Sequence, residues 1–122
     1  MSFKIEWKGS NAIISFIENF TYNDSYEANN LIYGDSRFDN MIYQIADFSK
    51  IEKVEFSEDE IKIIATLEKT STIWNNNIKL AIVTSGSVCI SSIIDPYLET
   101  MKSTNWKIKT FKNRIEAEKW CI

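Results

Sequence analysis

The sequence predicts a single α/β domain, residues 1–122, with a mixed, mostly parallel β-sheet, an N-terminal β-hairpin and about four helices. Three observations lead to this prediction. Segments 3–8 and 12–17 have strand-like apolar patterns and are joined by the turn 9–11. After this hairpin, helix-like and strand-like segments alternate in the order β-β-α-β-α-β-α-β-α, which is typical of right-handed parallel crossovers. Finally, 122 residues are enough for one domain with a sizeable core.

The composition is that of an ordinary globular chain. It is 44% hydrophobic and 25% charged, which argues against disorder. The three glycines and one proline leave little material for flexible linkers or for a glycine-rich phosphate loop.

The first strand is indicated by Phe3, Ile5 and Trp7, which alternate with charged residues as in a half-buried strand. A helix over residues 21–32 follows, with Thr21 or Asn23 as its N-cap and Gly34 at its end. Residues 35–40 are predicted to form a polar loop. The positions of this helix expected to face inward are Tyr26, Ala28, Leu31 and Ile32.

The middle of the chain predicts a strand over residues 41–48, apolar enough to be covered on both faces. Asp47 is interpreted as a turn former at the end of this strand, where its side chain accepts hydrogen bonds from nearby backbone amides. A charged turn then leads to a helix over residues 57–74, whose start, Ser57 to Glu60, matches a capping box. The predicted inner face of this helix is Ile61, Ile64 and Ala65, widened by Ile63 and Leu67.

The last third begins with the turn 75–77 and the β-branched strand 78–84. A helical pattern follows and is interrupted by Pro96, which predicts either a kinked helix or a helix restarting with Asp95 as its cap. An edge strand alternates Trp106, Ile108 and Thr110 with lysines. A short helix capped by Asn113 ends the chain. Apolar positions of the interrupted helix are Ile90, Ile93, Ile94, Tyr97, Leu98 and Met101, and those of the last helix are Ile115, Ala117 and Trp120.

The charge is unevenly distributed along the chain. The net charge is −3, yet residues 101–122 carry six basic and two acidic side chains. A basic segment could attract an acidic partner or an anionic membrane surface, although a solvated charged edge is the favoured interpretation. Nucleic acid is not expected as a partner, because the domain as a whole is acidic.

The residue types limit the chemistry that the chain can perform. There is no histidine, and the two cysteines, Cys89 and Cys121, have no metal-ligand spacing. The commonest general base and every Ser-His or Cys-His pair are therefore excluded. We expect no metal, no cofactor and no enzymatic activity, with Cys89 as core filling. The absence of a signal h-region and of an apolar stretch of membrane-spanning length predicts a soluble cytoplasmic protein without an integral membrane segment.

Three segments carry a resemblance to a known family. The phrases IADFSKIEKV and IKLAIVTSGS, each followed by a helix, and the ending WKIKTFKNRIEAEKWCI resemble the small bacterial STAS-like proteins, relatives of the anti-sigma-factor antagonists. Within that group the chain is most similar to the stand-alone branch grouped with lipid-binding Sec14-like domains, whose ending is matched by Phe111, Glu116, Ala117 and Trp120. The resemblance covers residues 40–122, and the earlier part only by the order of elements. It implies a STAS-like fold and a non-enzymatic protein-interaction or regulatory module.

Ser57 is the candidate switch residue that this resemblance singles out. In the antagonists, an Asp-x-Ser at a strand end leads to an Asp-Ser-Ser-Gly loop in which a serine is phosphorylated by the partner kinase. Aligned from Asp47 and Ser49, Ser57 falls on that serine, but residues 55–58 read EFSE. The acidic surroundings would repel a phosphate of about −2. A helix cap is therefore the favoured role of Ser57, and a phosphorylation switch that removes the cap is the alternative.

The loop after strand 78–84 is a second candidate site. Ser85, Gly86 and Ser87 follow the carboxyl end of a strand and precede a helix, where open α/β sheets bind ligands. The alternative is that Gly86 only turns the chain and Ser87 caps the helix. Together with Asp47 and Ser49, these residues form the predicted interaction or ligand loop.

Two functions are predicted. The first is a regulatory module that binds a protein partner through the Ser57 loop and its neighbours. The second is a binder of a small hydrophobic or lipidic ligand in a pocket between sheet and helices. The four tryptophans, Trp7, Trp74, Trp106 and Trp120, are expected to be mostly core. Exposure of Trp74, Tyr97 or Met101 would instead indicate a binding surface, and exposed aromatics with an edge strand would permit a homodimer.

Overall fold

A computed structural model of the chain describes residues 3–84 and 88–122. In this part of the chain, the strands form a five-stranded sheet in the order β1-β2-β3-β4-β5. The strands are β1 (Phe3–Lys8), β2 (Asn11–Thr21), β3 (Tyr43–Glu55), β4 (Lys79–Val83) and β5 (Lys107–Phe111). β1 and β2 pair antiparallel, and all later pairs are parallel. The predicted fold class and element order are thus confirmed.

The helices are α1 (Tyr22–Tyr33), α2 (Glu58–Ser71), α3 (Val88–Met101) and α4 (Arg114–Cys121). α1, α2 and α3 pack on one face of the sheet and share its larger core, whereas α4 covers the other face over Ile45, Ala81 and Val83. Because helices cover both faces of the central strands, consecutive residues of β3 and β4 are buried. No helix in the described part of the chain is both long and apolar enough to cross a membrane.

Side-chain caps start three of these helices, as their sequences predict. Thr21, rather than Asn23, caps α1, since its side chain accepts a hydrogen bond from the amide of Asp24. Ser57 caps α2, and Asn113 caps α4 by accepting from the amide of Glu116 at 2.9 Å. α3 continues through Pro96 as one helix and does not restart at Asp95.

The predicted ends of two strands are wrong. β2 continues to Thr21 and β3 to Glu55, so residues 49–55, expected as a charged turn, belong to a strand. β4 pairs with β3 only up to Asp47, and beyond that point β2 and β3 continue as a two-stranded ribbon. Two register shifts bend this ribbon, and Glu18 adopts a positive φ of 59° beside the second one. Ile51 and Val54 of this ribbon pack against the larger core, but two charged residues, Glu52 and Lys53, separate them, so the period-two pattern of a strand is absent here.

The inward faces of three helices also differ from the prediction. Exposed positions that were expected to be buried are Tyr26, Leu31, Ile63, Leu67 and Ile115. Polar side chains take part of the buried face instead, namely Ser25 and Asn29 on α1 and Glu68 on α2. An amphipathic pattern that assigns apolar residues to the core cannot identify such positions.

Two further local predictions need correction. Residues 35–40 contain a short 3₁₀ helix, Ser36–Asn40, whose Phe38 is fully buried against Tyr33. Among the tryptophans, Trp106 is buried, and its indole N–H donates to the backbone carbonyl of Asn75. Trp74 is 75% exposed, while Tyr97 and Met101 are buried. Trp74 is therefore the one residue of these three that meets the condition for a surface patch.

Candidate functional site

The candidate site is a cavity of about 70 Å³ between the sheet and helices α1, α2 and α3. It continues toward the surface, so that the empty space at this site is about 620 Å³ when open solvent is included. One end of the cavity is apolar and the other is polar. β3, α2 and α3 contribute side chains to both ends.

Aromatic side chains from the β2–β3 ribbon form the apolar end. Phe16 and Phe48 stack with their ring centroids 5.0 Å apart, and Phe20 meets Phe48 edge-on at 4.8 Å. Phe56, between β3 and α2, adds a ring 4.9 Å from Phe20. Aromatic pairs in these geometries are favourable beyond simple area burial. The ribbon therefore supplies a preformed apolar wall, and apolar residues of α2 and α3 complete it: Ile61, Ile64, Ile93 and Ile94.

Five polar side chains line the other end of the cavity. They come from four elements: Ser25 and Asn29 from α1, Gln44 from β3, Glu68 from α2 and Tyr97 from α3. All five are more than nine-tenths buried. Burial of polar groups away from water is unfavourable unless they are hydrogen-bonded, so a cluster of five at one cavity end is a feature that packing alone does not explain.

Glu68 is the acidic group of this cluster. Its Oε1 accepts a hydrogen bond of 2.9 Å from the hydroxyl of Tyr33. Tyr97 also faces this carboxyl group, although its hydroxyl does not have the geometry of a hydrogen bond to it. Burial raises the pKa of Glu68, and burial together with the nearby carboxylate raises the pKa of both tyrosines. In the described ranges, no lysine or arginine forms an ion pair with Glu68.

Three buried atoms of the cluster have no hydrogen-bond partner among the described residues. They are Nδ2 of Asn29, Oε1 of Gln44 and the hydroxyl of Tyr97. Each such group costs about 1–3 kcal/mol when it is left unsatisfied. A molecule that entered the cavity with matching donors and acceptors would recover that free energy. The arrangement can therefore bind a small ligand that has an apolar part and a polar part.

The structure places Ser57 as the exposed N-cap of α2, at the edge of this cavity. Its hydroxyl accepts from the amide of Glu60 at 3.1 Å, and the Glu60 carboxylate accepts from the amide of Ser57 at 2.9 Å. The predicted capping box is therefore present. Because the preceding residue, Phe56, lines the cavity, the start of α2 joins the exposed cap to the apolar end of the site.

Asp47 and Ser49, two residues of the predicted interaction or ligand loop, do not line the cavity. Asp47 is not at the end of a strand but at a bulge within β3, where its Oδ1 accepts from the amide of Ser49 at 2.9 Å. Its Oδ2 lies 3.3 Å from Nε of Arg114, whose guanidinium also donates to the hydroxyl of Ser15 at 2.7 Å. Asp47 is thus on the α4 side of the sheet. From Ser49 the strand runs about 20 Å further to Glu55, so the structure does not bring Asp47 and Ser57 into one loop.

The remaining predicted loop residues, Ser85, Gly86 and Ser87, lie outside the described residues, as does the side chain of Cys89. Next to that loop, the amide of Thr84 donates to the carbonyl of Phe111. Where the structure is described, no cluster of three or more potential metal ligands occurs.

The polar end of the cavity was not predicted from the sequence. Two features of the sequence are consistent with it. Gln44 is a polar residue in the middle of the apolar strand predicted over residues 41–48, and Glu68 follows Ile64 and Ala65 at the spacing of the inner helix face. Tyr33 and Asn29 carry no local signal, because their importance comes from residues distant in the chain.

Comparison with known proteins supports the fold. No protein-family model and no curated protein matches the chain. Among solved structures, the chain is similar to an uncharacterized protein of the DUF3478 family with a SpoIIAA-like fold from Shewanella loihica PV-4. The two share 14% sequence identity with a TM-score of 0.57, and the match covers 98% of this chain and 92% of the other. The predicted STAS-like fold is therefore confirmed, and the chain has a SpoIIAA-like architecture.

Proposed function

We propose that this protein is a non-enzymatic STAS-like module that binds a small apolar ligand in the cavity between its sheet and helices. The observation that carries this proposal is the cavity itself, with an aromatic wall at one end and unpaired buried polar atoms at the other. Largely preformed, mostly apolar pockets with a few convergent polar groups are the usual sites for small molecules.

The size and chemistry of the cavity support the binding of a small molecule. A volume of about 70 Å³ exceeds what a single water molecule needs, roughly 10–15 Å³. The titratable groups that line the cavity are Glu68 and Tyr97, and burial raises the pKa of both, which favours their neutral, hydrogen-bonding forms.

Xenon binding followed by NMR, together with native mass spectrometry of the purified protein, tests this proposal. Xenon is an apolar probe small enough for a cavity of this size. We expect xenon to perturb the amide resonances of residues around the cavity, and native spectra to show a co-purified apolar ligand. A protein that is consistently empty and does not respond to xenon would refute the proposal.

Two variants of neighbouring residues on α2 provide a matched control. Ile64 lines the cavity, whereas Ile63 is 47% exposed on the outer face of the helix. Ile64→Phe fills the cavity and is expected to abolish xenon binding, while Ile63→Phe leaves it unchanged. Equal loss in both folded variants would show that xenon binds somewhere other than the cavity.

A second candidate function is regulatory binding of a protein partner, and the outer surface of α2 favours it. Ile63 and Leu67 are exposed one turn apart on this helix, and Ile73 and Trp74 are exposed just after its end. Adjacent exposed apolar residues of this kind are typical of interaction sites. Since Ile64 and Glu68 of the same helix line the cavity, ligand occupancy and partner binding would act on one element.

Charge substitutions on the two exposed helix surfaces separate this candidate from the first. A partner captured with the wild-type protein should be lost with Leu67→Lys but retained with Leu31→Lys, because Leu31 is exposed on α1. Phosphorylated Ser57 in native material would support a switch, whereas unchanged partner binding by Ser57→Asp would argue against one. A concentration-dependent mass of twice the monomer would identify the partner as a second copy.

A further inference from the structure

We propose that the ligand of the inner cavity carries an uncharged head group with both a hydrogen-bond donor and an acceptor, such as a carboxamide, held by Asn29, Gln44 and Tyr97 beside Glu68. This inference rests on the proposed function and specifies the ligand class that the same site accepts.

The unpaired atoms define the hydrogen-bonding pattern of that head group. Nδ2 of Asn29 is a donor without a partner, and Oε1 of Gln44 is an acceptor without a partner. The hydroxyl of Tyr97 can serve in either role. A carboxamide offers a carbonyl oxygen to Asn29 and N–H groups to Gln44, so it carries both of the hydrogen-bonding roles that these two atoms require. A ligand with only donors or only acceptors would leave one of the two buried atoms unpaired.

The charge of the surroundings explains why the head group is neutral. A carboxylate ligand would find no cation on any described residue that lines the cavity, so its charge would be buried without a partner. An ammonium ligand would require Glu68 to be ionised, and burial opposes this by raising its pKa. Either charged ligand would lose its hydration in a site with more than nine-tenths of each polar side chain buried.

Two hydrogen bonds hold Glu68 in place beside the proposed head group. Oε1 is occupied by the hydroxyl of Tyr33, which belongs to α1, so the carboxyl group cannot rotate freely toward a ligand. The backbone carbonyl of Glu68 in turn accepts from the hydroxyl of Ser71. Glu68 is therefore a fixed neighbour of the head group. The head group itself contacts the unpaired atoms of Asn29 and Gln44.

Affinities of butanamide, butanoate and butylamine, measured by NMR titration at pH 7, test the inference. The three probes share one short apolar chain and differ in the head group. We expect butanamide to bind at least tenfold more tightly than either charged probe. A preference for butylamine or butanoate, or equal affinities for all three, would overturn the inference.

Variants of residues at the polar end test whether these residues cause the preference for butanamide. Tyr97→Phe removes one oxygen atom, and Gln44→Met removes the unpaired acceptor at nearly constant volume. Both are expected to weaken butanamide binding about three- to tenfold, whereas Ile63→Phe, on the exposed face of α2, is expected to leave it unchanged. If Gln44→Met fails to fold, Tyr97→Phe alone still decides, because it keeps the ring that packs in the core.

The outcomes for the two proposals are distinguishable. If xenon binds but butanamide has no advantage and neither variant changes its affinity, the carboxamide inference is wrong and the apolar ligand site stands. If neither xenon nor any of the three probes binds, both proposals are wrong.

Discussion

The hydroxyl of Tyr33 donates a hydrogen bond of 2.9 Å to Oε1 of Glu68, and thereby joins α1 to α2 at the polar end of the cavity. The two residues are 35 positions apart in the chain. Burial raises the pKa of both side chains. A buried hydrogen bond of this kind holds two helices in one arrangement, and the same contact places a titratable group in the core.

The first prediction concerns the pH dependence that Glu68 imposes on stability. Because its pKa in the folded state lies above the ordinary value of 4.5, the folded state holds this proton more tightly than the unfolded state does. The contribution of Glu68 to the free energy of unfolding is therefore fully present below about pH 4.5 and decreases as the pH rises through the folded-state pKa. Glu68→Gln removes the titrating carboxyl group. The free energy of unfolding of this variant should therefore increase relative to that of the wild type as the pH rises, by at most about 1.4 kcal/mol per pH unit.

Urea denaturation between pH 4 and 8 measures this difference. Glu52→Gln, at an exposed position of β3, controls for the loss of one negative charge. A difference between Glu68→Gln and the wild type that is constant across this range would contradict the prediction.

The second prediction concerns the helix cap formed by Ser57. Ser57→Ala removes the hydroxyl that accepts from Glu60 and should lower the free energy of unfolding by about 1 kcal/mol. Ser57→Asp keeps a good N-cap acceptor but adds a charge next to three acidic residues. Its stability should therefore lie within about 0.5 kcal/mol of the wild type at moderate salt. Equal stability of Ser57→Ala and the wild type in thermal denaturation would show that the cap contributes nothing.

The third prediction separates the two roles of Asp47. Asp47→Asn keeps an oxygen for the amide of Ser49 but loses the ion pair with Arg114, and should cost about 0.5–1 kcal/mol because Arg114 is partly solvent-exposed. Asp47→Ala loses both contacts and should cost about 1.5–3 kcal/mol. Chemical denaturation of both variants tests the order, and an equal loss would mean that the bond to Ser49 is unimportant.

The fourth prediction concerns the reactivity of Cys121, which is a free and buried cysteine. Burial raises the pKa of its thiol to about 11 from the ordinary value of 9.0. Since the thiolate is the reactive form, alkylation by iodoacetamide at pH 8 should be on the order of 100-fold slower in the folded than in the urea-unfolded protein. Peptide-level mass spectrometry measures the rate at Cys121 separately from that at Cys89. Similar rates at Cys121 in the two states would contradict the burial of this thiol.

Much of the fold could be predicted because its signals are local. The Ser57 cap depends on two hydrogen bonds that span three residues, and the strand over 79–83 depends on a β-branched run bounded by turns. The end of β3 could not be predicted in the same way. Its charged residues 50–55 look like a turn along the chain, but they pair with β2, a strand that lies more than 30 residues earlier.

The sequence by itself determined the order of the elements and the caps of three helices, because side-chain periodicity and short-range hydrogen bonds depend on neighbouring residues. The STAS-like architecture was implied by the resemblance of three segments to a known family. Only the tertiary structure decided where the polar residues lie. Four separate elements contribute Asn29, Gln44, Glu68 and Tyr97, and no local sequence pattern predicts that these side chains lie around one cavity. The cavity and its unpaired atoms result from long-range packing, which brings together groups that are independent of one another along the chain.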